Sequence, residues 1–254
     1  MGFGGLAQKL LKTKIGRVAA FYYFRINSVI EETYRYELGT NFYEKLYREE
    51  FFAKSMRFLK FNQVKGDYLE FGCFGGITFG LAHKHKRMAG LDMKLYGFDS
   101  FQGLPAPRGV DLHDQWKEGD LTISMKALAL ALRRQGIEKT DYTLIPGFYD
   151  QSLKTYTPQR LGLKAAALVY IDCDLYESTV PVLRYVFPIL QNGTIIAFDD
   201  FFCFNGDPDR GGQLALREFL QEHSEIRVVD YLNFGWHGKS FIVKRLVSDS
   251  PTKM

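Results

Sequence analysis

The sequence predicts a doubly wound α/β fold, with a mostly parallel seven-stranded sheet preceded by an N-terminal helical extension. Three observations predict it. Short β-prone runs alternate with stretches of helical periodicity from residue 68 onward. The first run, Tyr68–Phe71, feeds a turn containing Gly72, Gly75 and Gly76, and a helix can begin at Thr78. Glycine lets the backbone turn sharply there and approach a ligand closely, as at the nucleotide sites of doubly wound folds. Finally, Ala165–Ile171 is an almost unbroken apolar run, as expected of a central parallel strand buried on both faces.

Composition bounds the reading. A chain of 254 residues suits one large α/β domain with an appendage, or two small domains, and 46% hydrophobic residues suffice for its core. The expected division is an N-terminal helical extension over 1–60, the α/β domain over 61–247 and a polar tail over 248–254. A net charge of +4 without a concentrated basic stripe argues against a nucleic-acid partner. Cys73, Cys173 and Cys203 are sparse, odd in number and not spaced as metal ligands, which indicates a reducing compartment rather than a disulfide framework. No stretch is long and apolar enough to span a membrane, and no compact signal segment opens the chain. The expected location is therefore cytoplasmic.

Taken in order, Met1–Ile30 carries five basic residues and no acid, with Leu6, Leu10, Leu11, Ile15 and Val18 at roughly helical spacing. This reads as a basic amphipathic helix docked on the core or on a second subunit, with contact to an anionic membrane as the rival reading. The aromatic run Phe21-Tyr22-Tyr23-Phe24 makes this region a candidate homodimer contact. A second helix is expected over Asn41–Leu59, with Tyr43, Leu46, Tyr47, Phe51, Met56 and Phe58 as apolar positions. Both segments should cap the domain rather than fold alone, because short helices need tertiary packing.

After the glycine turn come a helix over 77–90 and a strand over Leu95–Asp99. Residues 101–120 form a loop long enough to be a lid, containing His113, Asp114 and Trp116. A helix over Ser124–Gln135 leads to a strand over Tyr142–Ile145, and Pro146–Asp150 closes that strand on the ligand side. The apolar strand ends in Asp172-Cys173-Asp174. A helix over Ser178–Leu190 follows, with Pro181 in its first turn, where proline is tolerated. Thr194–Phe198 is another buried strand and ends in Asp199-Asp200. Gly211–His223 supplies one more helix, and Ile226–Tyr231 with Ser240–Lys244 form a closing antiparallel pair.

Parallel strands deliver their C-terminal ends to one crevice. Here four ends carry acids: Glu70, Asp99, Asp172 and Asp199-Asp200. Asp99 can accept hydrogen bonds from ribose hydroxyls, or it can cap a following helix. Asp172, Asp199 and Asp200 offer hard oxygen ligands on adjacent strand ends, which suits Mg²⁺ and relieves their mutual repulsion. Capping of a turn by Asp199-Asp200, and of the next helix by Asp174, is the alternative.

Four motifs in this order carry a family resemblance: Tyr68-Leu69-Glu70-Phe71-Gly72-Cys73-Phe74-Gly75-Gly76, Tyr96-Gly97-Phe98-Asp99-Ser100-Phe101-Gln102-Gly103-Leu104-Pro105, Ile171-Asp172-Cys173-Asp174-Leu175-Tyr176-Glu177-Ser178-Thr179 and Phe198-Asp199-Asp200-Phe201. The chain resembles the macrocin O-methyltransferases over about residues 60–220. The resemblance implies a class I, Rossmann-like methyltransferase fold that uses S-adenosylmethionine and Mg²⁺ to methylate a hydroxyl, as in the sugar-tailoring enzymes of antibiotic biosynthesis. It implies a cofactor site of Glu70, Phe71, Gly72, Gly75, Gly76, Thr78, Asp99, Ser100 and Asp172, with Glu70 and Gly72 at the methionine end and Asp99 at the ribose. It implies Asp172, Asp199 and Asp200 as metal ligands, as at equivalent strand ends of the catechol O-methyltransferases. The base would be Asp174 or Asp172, with His113 and His237 in reserve. The acceptor would be a small hydroxylated molecule such as a sugar or glycoside. Phe74 departs from the pattern, standing where such turns carry their middle glycine. Two other classes compete: a nucleotide-binding oxidoreductase, which shares a glycine turn and a later acid, and a non-catalytic partner of the same fold that uses the N-terminal helix at a membrane surface.

Overall fold

The structure, a computed structural model, describes residues 44–246. The amphipathic helix expected over Met1–Ile30, the aromatic run Phe21–Phe24 and the polar tail lie outside the described residues. The chain divides into two units, Met1–Tyr47 and Arg48–Met254. The helix α1 (residues 44–61), of which 48–61 belong to the second unit, leads to β1 (Asp67–Phe71), α2 (Ile77–Ala89), β2 (Leu95–Asp99), α3 (Met125–Arg134) and β3 (Tyr142–Pro146). Two short helices, α4 (Tyr149–Thr155) and α5 (Pro158–Leu161), precede β4 (Ala166–Ile171), α6 (Tyr176–Val186) and β5 (Ile195–Phe198). The chain then runs through α7 (Gly211–Glu222), β6 (Ile226–Phe234) and β7 (Gly238–Arg245). Among the described residues no helix is long and apolar enough to cross a membrane.

The seven strands form one sheet in the order β3-β2-β1-β4-β5-β7-β6. The first five are parallel, and β7 pairs antiparallel with both β5 and β6. This is the doubly wound, mostly parallel sheet expected from the sequence. Successive strand residues face opposite sides of a sheet. Leu69, Phe71, Val169, Ile171, Ile196 and Phe198 accordingly fall in one core cluster, with Val182 and Leu183 of α6. Tyr68, Leu168, Tyr170, Ile195 and Ala197 fall in the other, with Phe51, Phe52, Met56 and Leu59 of α1. Phe52 stacks on Tyr170, with ring centroids 5.3 Å apart. Phe58, expected as a core position of this helix, is only half-buried.

Two local features differ from expectation. The helices α4 and α5 are too short to show a clear period; α5 is marked only by Thr157, whose hydroxyl accepts the Arg160 N–H, and by Pro158 in its first turn. The helix α6 starts at Tyr176, so Pro181 lies in its second turn rather than its first. The cause is tertiary. Buried Asp111, in the loop after β2, accepts the Tyr176 N–H at 2.6 Å and the Glu177 N–H at 2.9 Å. A carboxylate on these first-turn donors satisfies groups with no partner inside the helix and complements its dipole.

Candidate functional site

Register brings four strand ends to one level. Phe71 lies opposite Phe98 and Ile171, and Ile171 lies opposite Phe198. The next residues, Gly72, Asp99, Asp172 and Asp199, therefore form a row at the point where strand order reverses between β1 and β4. Backbone bonds stitch it: Gly72 N–H to Phe98 O at 2.9 Å, Asp172 N–H to Phe71 O at 2.8 Å, and Asp199 N–H to Ile171 O at 2.9 Å. Gly72 has φ 92°, and a Cβ on it would stand 1.7 Å from the Asp172 carbonyl oxygen. Close packing of two strand ends thus requires this glycine, whatever ligand lies above.

A cavity of about 640 Å³ opens over the row, a size usual for small-molecule sites. Of the residues singled out in the sequence, Gly72, Thr78, Asp99, Ser100, Asp172, Asp174, Asp199 and Asp200 line it, whereas Glu70, Phe71, Gly75 and Gly76 do not. Seven carboxylates face it against two guanidinium groups, Arg48 and Arg108. Acidic groups thus outnumber basic ones on the wall, which suits a cationic occupant.

On the β1 side the acids are closed by the chain itself. Glu70 is fully buried. The Tyr68 hydroxyl donates to its Oε2, and Thr78 Oγ1 donates to Oε1 at 2.7 Å. Burial pushes its carboxyl up to about 8, against the opposing pull of those two bonds. Phe71 belongs to the core, stacked on Phe98 at 4.6 Å. Gly75 and Gly76, each with φ 68°, carry the turn into α2, and a Cβ on Gly76 would strike Leu128. Asp99 accepts the Cys73 N–H at 2.8 Å and the Phe101 N–H at 2.7 Å. It caps no helix but ties the glycine turn to the lid, and each oxygen keeps a second acceptor site. Ser100 Oγ donates to Gly103 O at 2.8 Å and fixes the root of the lid.

The loop after β2, expected as a lid, is also pinned farther along. Asp111 sits on the start of α6, and Arg210 Nε donates to Val110 O at 2.9 Å. His113 packs against Trp116 and Phe204. Trp116 itself packs on Phe204, with ring centroids 4.8 Å apart.

On the β4–β5 side the acids face one another. Burial, then the charges of Asp199, Asp200 and Asp174, hold the Asp172 carboxyl well above the usual carboxylate range. Burial and then Asp200 do the same to Asp174, whose backbone is left-handed at φ 57°. Asp200 is pushed up to about 6, mainly by burial and Asp199. Its Oδ1 accepts from Cys203 Sγ at 3.2 Å, while its Oδ2 is buried without a hydrogen-bond partner. Asp199 is better satisfied. Arg48 forks onto it, Nε to Oδ1 at 3.1 Å and Nη2 to Oδ2 at 2.6 Å, and the Tyr170 hydroxyl also donates to Oδ1. His237 Nδ1 lies 2.5 Å from the Asp199 carbonyl oxygen, so that nitrogen is committed to the backbone. Neither His113 nor His237 lines the cavity.

Among the described residues, the donor atoms of Asp199, Asp200 and His237 lie within 4.8 Å of one another, whereas Asp172, expected as the third ligand, is not in that group; the two carboxylates in it fit a hard divalent cation. Crowded carboxylate oxygens, one of them buried and unpartnered, are what Mg²⁺ takes and what apolar surroundings tolerate poorly. The sequence reading missed Arg48 and the wall formed by Phe148, Tyr149, Asp150 and Gln151. The wall had a signal in the strand-closing segment Pro146–Asp150. Arg48 had one in lying three and four residues before Phe51 and Phe52, on the face of α1 that turns to the sheet.

Comparison with known proteins places this geometry. The family model for Macrocin-O-methyltransferase (TylF) matches residues 47–234. The 8-demethyl-8-(2,3-dimethoxy-alpha-L-rhamnosyl)-tetracenomycin-C 4'-O-methyltransferase of Streptomyces olivaceus is 27% identical over 170 residues, 63% of each chain. The Mycinamicin III 3''-O-methyltransferase of Micromonospora griseorubida is 28% identical over 147 residues, 54% of this chain and 56% of that relative. The match thus spans between half and two thirds of these relatives' own length. Among solved structures, the O-methyltransferase NovP aligns with a TM-score of 0.63 at 21% identity, covering 77% of this chain and 79% of that one. CalS11, a calicheamicin methyltransferase, aligns with the same TM-score at 22% identity, covering 76% and 77%. At these identities the structural likeness speaks for the fold.

Proposed function

The chain belongs to the macrocin O-methyltransferase family, and on that premise we propose that it moves a methyl group from S-adenosylmethionine to a hydroxyl of a sugar or another small natural-product or glycan acceptor, with Mg²⁺ at the carboxylate cluster. The observation that carries this reading is the single cavity onto which Gly72, Asp99, Asp172, Asp174, Asp199 and Asp200 open together. The Streptomyces olivaceus relative methylates a rhamnosyl-bearing natural product by its name, which favours such an acceptor here.

When bound, S-adenosylmethionine would supply an electrophilic methyl group on a sulfonium, and Mg²⁺, which Asp199 and Asp200 with Asp172 as the third expected ligand would hold, would supply Lewis acidity. The chain's own residues do the rest. Asp99 offers its remaining acceptor sites to the ribose hydroxyls, beside Ser100. Gly72 and Thr78 border the methionine end, and the excess of acidic groups on the cavity wall favours a sulfonium. Asp174, on the cavity wall beside the other acids, takes the proton of the attacking hydroxyl. Asp172 is the second candidate for that role. The lid, held by Asp111, Arg210 and Trp116, shields the reacting atoms from water. Holding the two reactants in line contributes much of the rate.

Calorimetric titration with S-adenosylmethionine tests the cofactor. Saturable binding is expected; a folded sample that binds none would return the row of acids to a scaffold role. Turnover undiminished by a chelator would overturn the metal part alone. The oxidoreductase alternative has no observation in its favour. The membrane-surface alternative rests on a segment outside the described residues.

A further inference from the structure

Asp199 is read above as a metal ligand, yet it already holds a cation. Arg48 reaches it because Phe51 and Phe52 anchor α1 against the sheet, and residues three and four positions apart share a helix face. Both Asp199 oxygens accept from the guanidinium, at 3.1 and 2.6 Å, and Oδ1 also accepts from Tyr170. The Asp199 side chain is 4% exposed and that of Arg48 22%, with the guanidinium on the cavity wall. A planar fork on a buried carboxylate is a strong, directional pairing. A divalent ion bound through Asp199 would stand against a guanidinium held on the same two oxygens, and two cations that close repel. Asp200, next in the chain, has a buried oxygen with no partner at all.

We infer that Arg48 is a resident counter-cation that a divalent ion must displace from Asp199, so that Arg48 sets the affinity of this cluster for metal. The inference rests on the proposed metal site. It makes Asp199, alone of the four acids, compensated by a cation when free of metal, and it places an exchange between a guanidinium and an ion at the entrance to the loaded state.

The experiment is titration of the full chain with Mn²⁺ alone, read by the electron paramagnetic resonance of the free ion and by the melting temperature, with circular dichroism to confirm the fold. Arg48→Gln should bind Mn²⁺ at least about tenfold more tightly than the unchanged protein, the weight of a charge-assisted bond pair. It should also melt lower in chelator and gain more from Mn²⁺. Arg48→Lys, which keeps the charge without the fork, should fall between them and gives an answer if the glutamine variant does not fold. Mn²⁺ binding that Asp200→Asn weakens but that Arg48→Gln and Arg48→Lys leave equal or weaken overturns the inference and keeps the metal site. Absence of binding in all variants overturns both.

Discussion

Glu70 and Asp99, at the ends of β1 and β2, differ from Asp172, Asp174 and Asp200, beyond β4 and β5, in what satisfies them. Burial raises all five carboxyls. On the first side four donors of the chain close the accounts: Tyr68, Thr78 and the N–H groups of Cys73 and Phe101. On the second side acid faces acid, and one Asp200 oxygen has no donor. Carboxylates at neighbouring strand ends can therefore hold a fold together, as Glu70 does, or keep acceptor sites open toward the cavity, as Asp99 and Asp200 do. The difference lies in whether a local donor is present, since an unpaired buried charge is costly.

The largest test of this contrast is Asp174→Asn. We expect kcat to fall by roughly 10²–10⁴-fold, the usual worth of a positioned base, with S-adenosylmethionine binding retained. Steady-state kinetics and calorimetry together check it; loss with Asp172→Asn but not with Asp174→Asn would move the base to Asp172.

Next comes the contrast within the first side. Asp99→Asn should weaken S-adenosylmethionine binding by about 10- to 100-fold, the cost of losing hydrogen bonds to a charged acceptor. Glu70→Gln should change it far less, because both Glu70 oxygens are spent inside the protein. Equal losses would erase the distinction between a lining and a buried acid.

A smaller effect should separate the second side from the first. Asp200→Asn removes a crowded charge, so in chelator the variant should melt higher, by about 2–4 °C for a gain of about 1 kcal/mol. A lower melting point would mean that the orphaned oxygen has a partner in solution.

The smallest is a slope with pH. The folded-state value of Glu70, about 8, lies above that of an unfolded carboxylate. Its contribution is fully present below the unfolded pKa and is lost as pH rises through about 8, because only the folded state holds the proton in between. In chelator the protein should therefore melt higher at pH 6.5 than at pH 8.5, with a dependence of at most about 1.4 kcal/mol per pH unit. Glu70→Gln should flatten the profile; an unchanged slope would assign the effect to other groups.

Much of this molecule can be read from the chain alone. Alternation and apolar runs name the seven strands, because side-chain direction repeats every two residues in a strand and every 3.6 in a helix. The topology of parallel strands then sends Asp99, Asp172 and Asp199 to one edge. The start of α6 is not legible in this way, because its cap, Asp111, stands 65 residues upstream. Nor is the closure of Glu70, since Tyr68 and Thr78 read locally as a strand residue and a helix start.

The sequence by itself determined the order of the elements, the acids at their ends and the family of the fold, all of which depend on local periodicity and on a few linked motifs. Only the tertiary structure decided which acids are already satisfied. Arg48 meets Asp199 across 151 residues of chain, and no local pattern records a hydrogen bond between groups that only folding brings within 3 Å.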